Sequence, residues 1–390
     1  MVAGHLSEKN GIYHIVLNYT DESGKRKAKW ITTGLSVKGN KKRAEEMLAS
    51  KRRSFEEELE KSRDIKKDDI LFSDYLVKWL NIIKTSVAVP TYASYSQMIN
   101  SSIVPYFAER KITLKELKAS DIQDFYLEKL NHVSASSVIH YHANIHKALK
   151  YAVRTDLIPS NPADKVERPK KEKFVGSFYD AEEVKKLFAA SKGTLLEIPI
   201  MFGAFYGLRR SEVIGLKWNA IDFERNTITI QHTVTSCTID VKDVIYASDT
   251  TKTKSSRRTL PLAPFVRERL LRLQDEQKIN KKLCGRAYNK SYLEYVCVNE
   301  IGDLIKPDYV TEGFRNFLQS NGFRVIRFHD LRHTCASLLL ANNVPMKQIQ
   351  EWLGHSDFST TANIYAHLDY SSKISSADAL LSGLDLGAKP

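Results

Sequence analysis

The sequence predicts a multidomain α+β protein. It should hold a small N-terminal β-sheet/helix domain, an all-helical domain, and a larger mixed, mainly helical domain with a small antiparallel sheet. Three observations lead there. The chain has 390 residues, too many for one core at roughly 100–200 residues per domain. Two charged runs poor in apolar side chains, Lys66-Lys-Asp-Asp69 and Val166-Glu-Arg-Pro-Lys-Lys-Glu-Lys-Phe174, interrupt it. Strand-like stretches lie before the first run and after the second, and helical spacing dominates between them.

The elements follow in order. In residues 1–66, Gly11–Tyr19 is rich in strand formers, Asp21-Glu-Ser-Gly24 supplies a turn, and Lys25–Thr33 returns with basic residues around Trp30. A charged helix is expected from about Lys41 to Arg63, beside a sheet of two or three strands. In residues 70–165, Phe72, Tyr75, Leu76, Trp79, Leu80 and Ile83 recur at three- and four-residue spacing, one buried stripe, with Ser73 as its N-cap. Further helices are expected at Thr91–Val104, Ser120–Leu130 and Ala135–Arg154, and Pro159 and Pro162 close this four-helix domain. Residues 166–176 read as a linker. In residues 177–370, Asp180-Ala-Glu-Glu183 is a helix-capping signature, Gly207 precedes a helix over Arg210–Trp218, Thr227–Val234 alternates as a strand, and a second strand falls near Arg258–Leu262. The remainder reads as helix. The tail, residues 371–390, places Ala377, Leu380, Leu381 and Leu384 at helical spacing, an amphipathic segment suited to docking.

Composition excludes several classes. Hydrophobic residues at 42% and charged residues at 27% are ordinary globular values, so wholesale disorder is excluded. The densest apolar stretch, Ile198–Leu208, is 11 residues long, against about 20 for a membrane span. No basic region followed by an apolar core opens the chain, so the expectation is a soluble, cytoplasmic protein with no membrane partner. The four cysteines, Cys237, Cys284, Cys297 and Cys335, form neither a CxxC pair nor metal-ligand spacing and read as reduced structural thiols. The net charge of +13 points to a polyanion. Residues 1–55 hold 12 basic against 5 acidic side chains, and residues 251–290 hold 12 against 3, as phosphate-contacting surfaces do.

Four segments carry more than composition: Tyr206-Gly-Leu-Arg-Arg-Ser-Glu-Val213, Lys252-Thr-Lys-Ser-Ser-Arg-Arg-Thr-Leu-Pro261, Phe328-His-Asp-Leu-Arg-His-Thr334, and Leu353-Gly-His-Ser-Asp-Phe-Ser-Thr-Thr-Ala-Asn-Ile-Tyr365. Singly, each has an ordinary reading. Arg209 would be a solvated charge, Lys252 matches its neighbours, and Tyr365 would be a half-buried core tyrosine. His329 and His333 stand at zinc-holding spacing, but no Glu follows the first and no third ligand announces itself. Together and in order, these segments resemble the catalytic domain of the tyrosine recombinase (integrase) family over about residues 175–370. The helical domain resembles that family's core-type DNA-binding domain. The N-terminal β-unit resembles the arm-type DNA-binding module of phage and conjugative-transposon integrases.

The resemblance implies a catalytic set of Arg209, Lys252, His329, Arg332, His355 and Tyr365, with Tyr365 as the nucleophile and neither metal nor ATP required. Lys254 fits the lysine position within a residue or so, and Tyr370 is a rival nucleophile. Glu212 and Asp330 would orient the arginines, while Arg210 and His333 would sit off the active face. The residue types suit the chemistry. A tyrosine hydroxyl serves as covalent nucleophile once its proton is accepted. Forked, permanently charged guanidiniums bind the oxygens where charge develops, and a lysine delivers a proton to the leaving oxygen. The implied function is integration and excision of a mobile element. The implied partners are double-stranded DNA at core and arm sites, further copies of the chain in a synaptic tetramer, and an accessory excisionase or DNA-bending protein. The alternatives are a resolvase or type IB topoisomerase-like enzyme of the same chemistry, and a DNA-binding regulator with a decayed site.

Overall fold

A computed structural model describes residues 2–20, 26–67, 70–171, 177–239, 242–249 and 257–354, with Leu381 and Leu384 as isolated positions beyond. The chain divides into two compact units, residues 1–81 with 98–169 and residues 82–97 with 170–390.

The first unit opens with an antiparallel meander, β1 (Ala3–Lys9), β2 (Ile12–Thr20) and β3 (Arg26–Ser36), followed by α1 (Lys41–Lys67). The sequence located the last two strands of the two or three expected; β1 is the third. β1 pairs with β2 from Ala3↔Asn18 to Lys9↔Ile12, through a two-residue turn in which Asn10 (φ 52°) and Gly11 (φ 72°) are both left-handed. Asn-Gly suits that turn because both central residues need positive φ. Val2, Ile15, Leu17 and Phe55 form a small core between sheet and helix.

The helices that follow before residue 170 are α2 (Phe72–Ile83), α3 (Val89–Met98), α4 (Val104–Arg110), α5 (Ala119–Leu130) and α6 (Ala135–Arg154), of which α3 up to residue 97 and the end of α2 fall in the second unit. Two details depart from expectation. Ser73 is not a cap: it lies inside the first turn of α2, buried, and the helix start is held by the Phe72 amide donating to the Ile112 carbonyl at 2.9 Å. The helix expected over 91–104 runs instead through a π-helical turn, Ile99–Ile103, into α4. Pro105 explains this, because a proline in the path removes one donor and crowds the carbonyl four residues back, so the chain widens locally. Phe107 and Phe125 sit at the centre of an aromatic core, 5.5 Å apart, with Phe72, Tyr106 and Tyr141 around them.

The second unit contains α7 (Ala181–Ser191), α8 (Glu197–Phe205) and α9 (Arg210–Ile214), then β4 (Ile221–Asp222), β5 (Thr227–Ile230), β6 (Thr233–Ile239), β7 (Lys242–Ser248) and β8 (Arg258–Pro261). The helices α10 (Pro264–Cys284), α11 (Pro307–Ser320), α12 (Asp330–Ala341) and α13 (Met346–Leu353) complete it. The strands form an antiparallel sheet β4-β5-β8 and a separate hairpin β6-β7. Asp180 and Glu183 make the expected reciprocal cap of α7, at 2.8 and 2.9 Å.

The helix expected over 210–218 ends at Ile214. There the backbone turns to pair with another segment, the Val296 amide donating to Leu216 and the Trp218 amide to Glu294. The strand expected over 227–234 is two strands in two sheets. His232 marks the break: its ring is buried between Asp249 (2.5 Å) and the Tyr295 hydroxyl (3.0 Å), and its carbonyl lies against Gly215, where a Cβ would stand 2.7 Å away. Periodicity cannot see such a break, because tertiary contacts impose it.

Candidate active site

Four stretches of the second unit converge. The first is the turn into α9. Gly207 has φ +63°, and a Cβ there would meet Leu353 Cδ2 at 2.3 Å and Cys335 Sγ at 3.3 Å. Only glycine lets this chain pass so close to α13 in that conformation. Arg209 follows as the N-cap of α9, and Glu212 reaches back so that the Arg209 amide donates to Oε2 at 3.0 Å and Arg209 Nη1 to Oε1 at 2.7 Å. The second stretch is β8. Arg258 points inward with Leu260, and its Nη2 donates to Glu212 Oε2 at 3.1 Å. The third is the start of α12, which carries His329, Asp330 and Arg332. The fourth is the last turn of α13.

That last turn organises the arginines. Helix ends leave backbone carbonyls without intrahelical partners, at the negative pole of the helix. Here three successive carbonyls each accept from a different arginine. Trp352 accepts from Arg258 Nε at 2.8 Å, Leu353 from Arg332 Nη2 at 2.6 Å, and Gly354 from Arg209 Nη2 at 3.4 Å. Arg332 Nη1 also donates to the Gly207 carbonyl at 2.6 Å. Arg332 and Glu212 are each only 2% exposed, and Arg209 keeps a third of its side chain open to solvent. Tyr206 braces the arrangement: its hydroxyl donates to Pro261 and accepts from the Ala263 amide, and its ring stacks on Trp352 at 5.9 Å.

The electrostatics are lopsided. Among the described residues, three guanidiniums surround the one carboxylate of Glu212: Arg209 and Arg258 bond it directly and Arg332 acts on it through space. Burial pushes the Glu212 carboxyl up, but Arg258, Arg209 and Arg332 outweigh it and hold it below the usual carboxylate range. Burial, Arg209 and Arg258 push Arg332 down to about 9, which leaves it charged at neutral pH. His329 is lowered to about 4 by burial, His333, Arg332 and Arg209, against Asp330. The residue as a whole is exposed, so water offsets part of the burial effect and the cations sustain the direction. A neutral imidazole therefore stands beside a cationic cluster.

Arg209, His329 and Arg332 thus share one neighbourhood. Lys252, Lys254, His355, Tyr365 and Tyr370 lie outside the described residues; His355 directly follows Gly354 in the chain. Asp330 directs its carboxylate to Arg327, at 2.7 Å to Nη2 and 2.8 Å to the amide. Arg210 turns to α11, with Nη1 2.6 Å from the Thr311 hydroxyl. His333 packs edge-on against His329, ring centres 5.3 Å apart. Arg258 is the member that sequence reasoning missed. Its signal was parity: on a strand it shares a face with Leu260, which made it an inward-pointing arginine. Among the described residues no group of three or more His, Cys, Asp and Glu side chains is arranged to hold a metal ion.

A buried arginine cluster with one guanidinium part-open to solvent is a setting suited to an anion such as phosphate, and comparison with known proteins gives the class its name. Residues 177–372, just over half of the chain, match the phage integrase family, and residues 71–130 match the phage integrase N-terminal SAM-like domain. The chain belongs to the phage integrase family, the tyrosine recombinases, enzymes that break and rejoin DNA. It is 29% identical to a XerC-like tyrosine recombinase of Caldanaerobacter subterraneus subsp. tengcongensis over 332 residues, 80% of this chain and 83% of that one. It is 26% identical to the ICEBs1 integrase of Bacillus subtilis over 356 residues, 88% and 90% of the two chains. Among solved structures, the Tn1549 transposon integrase in complex with transposon right end DNA matches with TM-score 0.64 at 18% identity, covering 81% of this chain and all of that one. A lambda integrase tetramer bound to a Holliday junction matches with TM-score 0.58 at 16% identity, over 90% and 95%. At such identities these structures establish the fold.

Proposed function

We propose that this chain integrates and excises a mobile genetic element, a conjugative transposon or a prophage, by cleaving and rejoining DNA through a 3′-phosphotyrosyl intermediate. The observation that carries the reading is the part-exposed Arg209 guanidinium, held by a buried Glu212 beside buried Arg332 and neutral His329. In this reading Tyr365 attacks the scissile phosphate. Arg209, Arg332, His329 and His355 bind the non-bridging oxygens as the pentavalent phosphate forms. Donors fixed before the reaction stabilise that charge without reorganising. Lys252, with Lys254 as the alternative, protonates the departing 5′-oxygen, and the phosphotyrosine retains the bond energy for rejoining without ATP.

The domain layout in this reading is residues 1–66 on arm sites, residues 70–165 on core sites, a linker at 166–176, and residues 177–370 performing the chemistry. Four protomers form the synapse, and the tail, residues 371–390, docks on a neighbouring protomer. Exposure of Leu381 and Leu384 suits such a tail. An excisionase or DNA-bending protein assists direction, and the setting is the bacterial cytoplasm, on DNA. The names of the relatives support a mobile element: ICEBs1 integrase, the prophage ps2 probable integrase and the Tn1549 transposon integrase.

The test is a nicked suicide substrate carrying a candidate attachment site from the element's ends, without added metal or ATP. Wild type should leave a covalent protein–DNA band on denaturing gels, and Tyr365→Phe should leave none. A band that persists in the mutant moves the nucleophile, to Tyr370 first. No band for either protein, on DNA that both bind, leaves a site that needs partners for activation or returns the regulator reading.

A further inference from the structure

Arg258, like Arg332 and unlike Arg209, has almost no access to solvent. Its side chain is 6% exposed, against 34% for Arg209. Its bonds reach two elements. Nε donates to the Trp352 carbonyl at the end of α13, while Nη1 and Nη2 donate to Glu212 Oε1 and Oε2 at 3.4 and 3.1 Å. Both oxygens of Glu212 also serve Arg209, Oε1 through Nη1 and Oε2 through the backbone amide. One carboxylate therefore takes two forks, one from the surface side and one from beneath.

We propose that Arg258 is a positioning residue for the cleavage reaction: by gripping the Glu212 carboxylate and the Trp352 carbonyl together, it fixes the guanidinium of Arg209 in the place where that group meets the phosphate. The inference rests on the functional reading above. Without Arg258, the Glu212 carboxylate retains its attachment to Arg209, but both can swing as a pair. The end of α13, one residue before His355, also loses its tie to β8. A lysine restores charge without restoring the fork, since one ammonium cannot reproduce the planar bidentate geometry. A glutamine restores neither.

Charge adds a distinguishing mark. Arg258 is the foremost cation opposing burial at Glu212. Its removal raises the carboxyl, which then takes up a proton at a higher pH than in wild type, and Arg209 loses its anion as the pH falls. The rate of an Arg258→Gln variant should therefore fall away on the acid side sooner than wild type does. Arg258→Lys keeps the charge and should keep the wild-type profile.

The experiment is single-turnover formation of the covalent complex on a nicked half-site at saturating protein, against pH, with half-site Kd measured alongside. Arg258→Gln should slow the step about 10- to 100-fold, the range that loss of a charged hydrogen bond supports. Its Kd should stay within about threefold, and the acid-side loss should appear. Arg258→Lys should recover part of the rate. A wild-type rate in Arg258→Gln, the same fractional loss at every pH, or a loss confined to Kd overturns the proposal. If near-UV circular dichroism shows that Arg258→Gln does not fold, the pair Arg258→Gln with Glu212→Gln removes the stranded carboxylate. That pair should be slow without the added acid-side loss, and wild-type cleavage by it also overturns the proposal. Arg209→Ala is the control: if it cleaves like wild type, the functional reading itself fails. An inactive Arg209→Ala beside a wild-type Arg258→Gln overturns only the role of Arg258.

Discussion

The aromatic core around Phe125 and the arginine cluster around Glu212 are both buried, and they are made of opposite materials. In the first unit, the buried polar side chains among the described residues are Ser73, Asn144 and Asn161, all uncharged. Charge stays at the rim, where Arg110 lies 3.5 Å over the Tyr106 ring and bonds Glu128 at 3.0 Å. In the second unit Glu212, Arg258, Asp330 and Arg332 are all buried. Burying charge is costly unless it is paired, and even a paired cluster seldom stabilises more than a well-packed apolar one. The first arrangement is what stability alone selects. The second gathers Arg209, Arg258 and Arg332 around the single carboxylate of Glu212, an arrangement that stability alone does not select.

The largest effects should separate these two centres. Arg332→Ala strips the Gly207 and Leu353 carbonyls of their donors and leaves a buried void. It should cost about 3–5 kcal/mol in urea unfolding and reduce covalent-complex formation by about a thousandfold or more. Phe125→Ala should cost a similar 3–5 kcal/mol, yet the molecules that remain folded should cleave at the wild-type rate once DNA is saturating. A rate defect in fully folded, DNA-saturated Phe125→Ala would break the contrast, because it would tie the aromatic core to the chemistry.

A smaller effect is expected at Gly207. Alanine there must adopt φ near +63° and push Leu353 aside. Together, strain and overpacking should cost about 1–3 kcal/mol. The end of α13 moves with Leu353, so cleavage should fall more than the stability change explains. Differential scanning calorimetry alongside the suicide-substrate assay would check this; a stability loss with an unaltered rate would show that the carbonyls of α13 need not be fixed.

What the sequence made legible follows the same division. The stripe from Phe72 to Ile83 and the reciprocal cap at Asp180 and Glu183 are local signals, and both elements are present. β1 was not located although Asn10-Gly11 is a strong hairpin signal, because Ala3–Lys9 has few strand-forming residues and its ladder to β2 supplies what propensity does not. The break at His232 and the early end of α9 were invisible for a different reason. Each is set by residues far away in the chain, Tyr295 and the backbone of residues 294–296. In the site, motif order announced Arg209, His329 and Arg332, since those residues sit in short segments of distinctive composition. Arg258 stands beside another arginine in a basic run, and only its parity with Leu260 distinguished the buried one. The three carbonyls of α13 carry no side-chain signature at all, so no reading of residue types finds them.

The smallest and sharpest comparison is between two histidines. His142 in the first unit and His329 in the second are both lowered by burial and by a neighbouring imidazole, His146 and His333 respectively. Beyond that their settings diverge. His142 faces Arg168, but Asp164 pulls it back up; its Nδ1 meets the Tyr126 hydroxyl at 2.9 Å. His329 faces both Arg332 and Arg209, with Asp330 committed to Arg327. His329 should therefore titrate near 4, and His142 should lie below its ordinary value, both read from imidazole proton shifts by NMR. The sign of the linkage is the same for both. The unfolded chain binds the proton first, so their contribution is fully present above pH 6.5 and is lost as the pH falls toward each folded value. A midpoint for His329 near 6.5 would mean that this histidine becomes an imidazolium at mildly acid pH and that burial and the arginines do not set it. Arg209→Gln should then move His329 hardly at all, whereas a cluster that sets the histidine must let it rise.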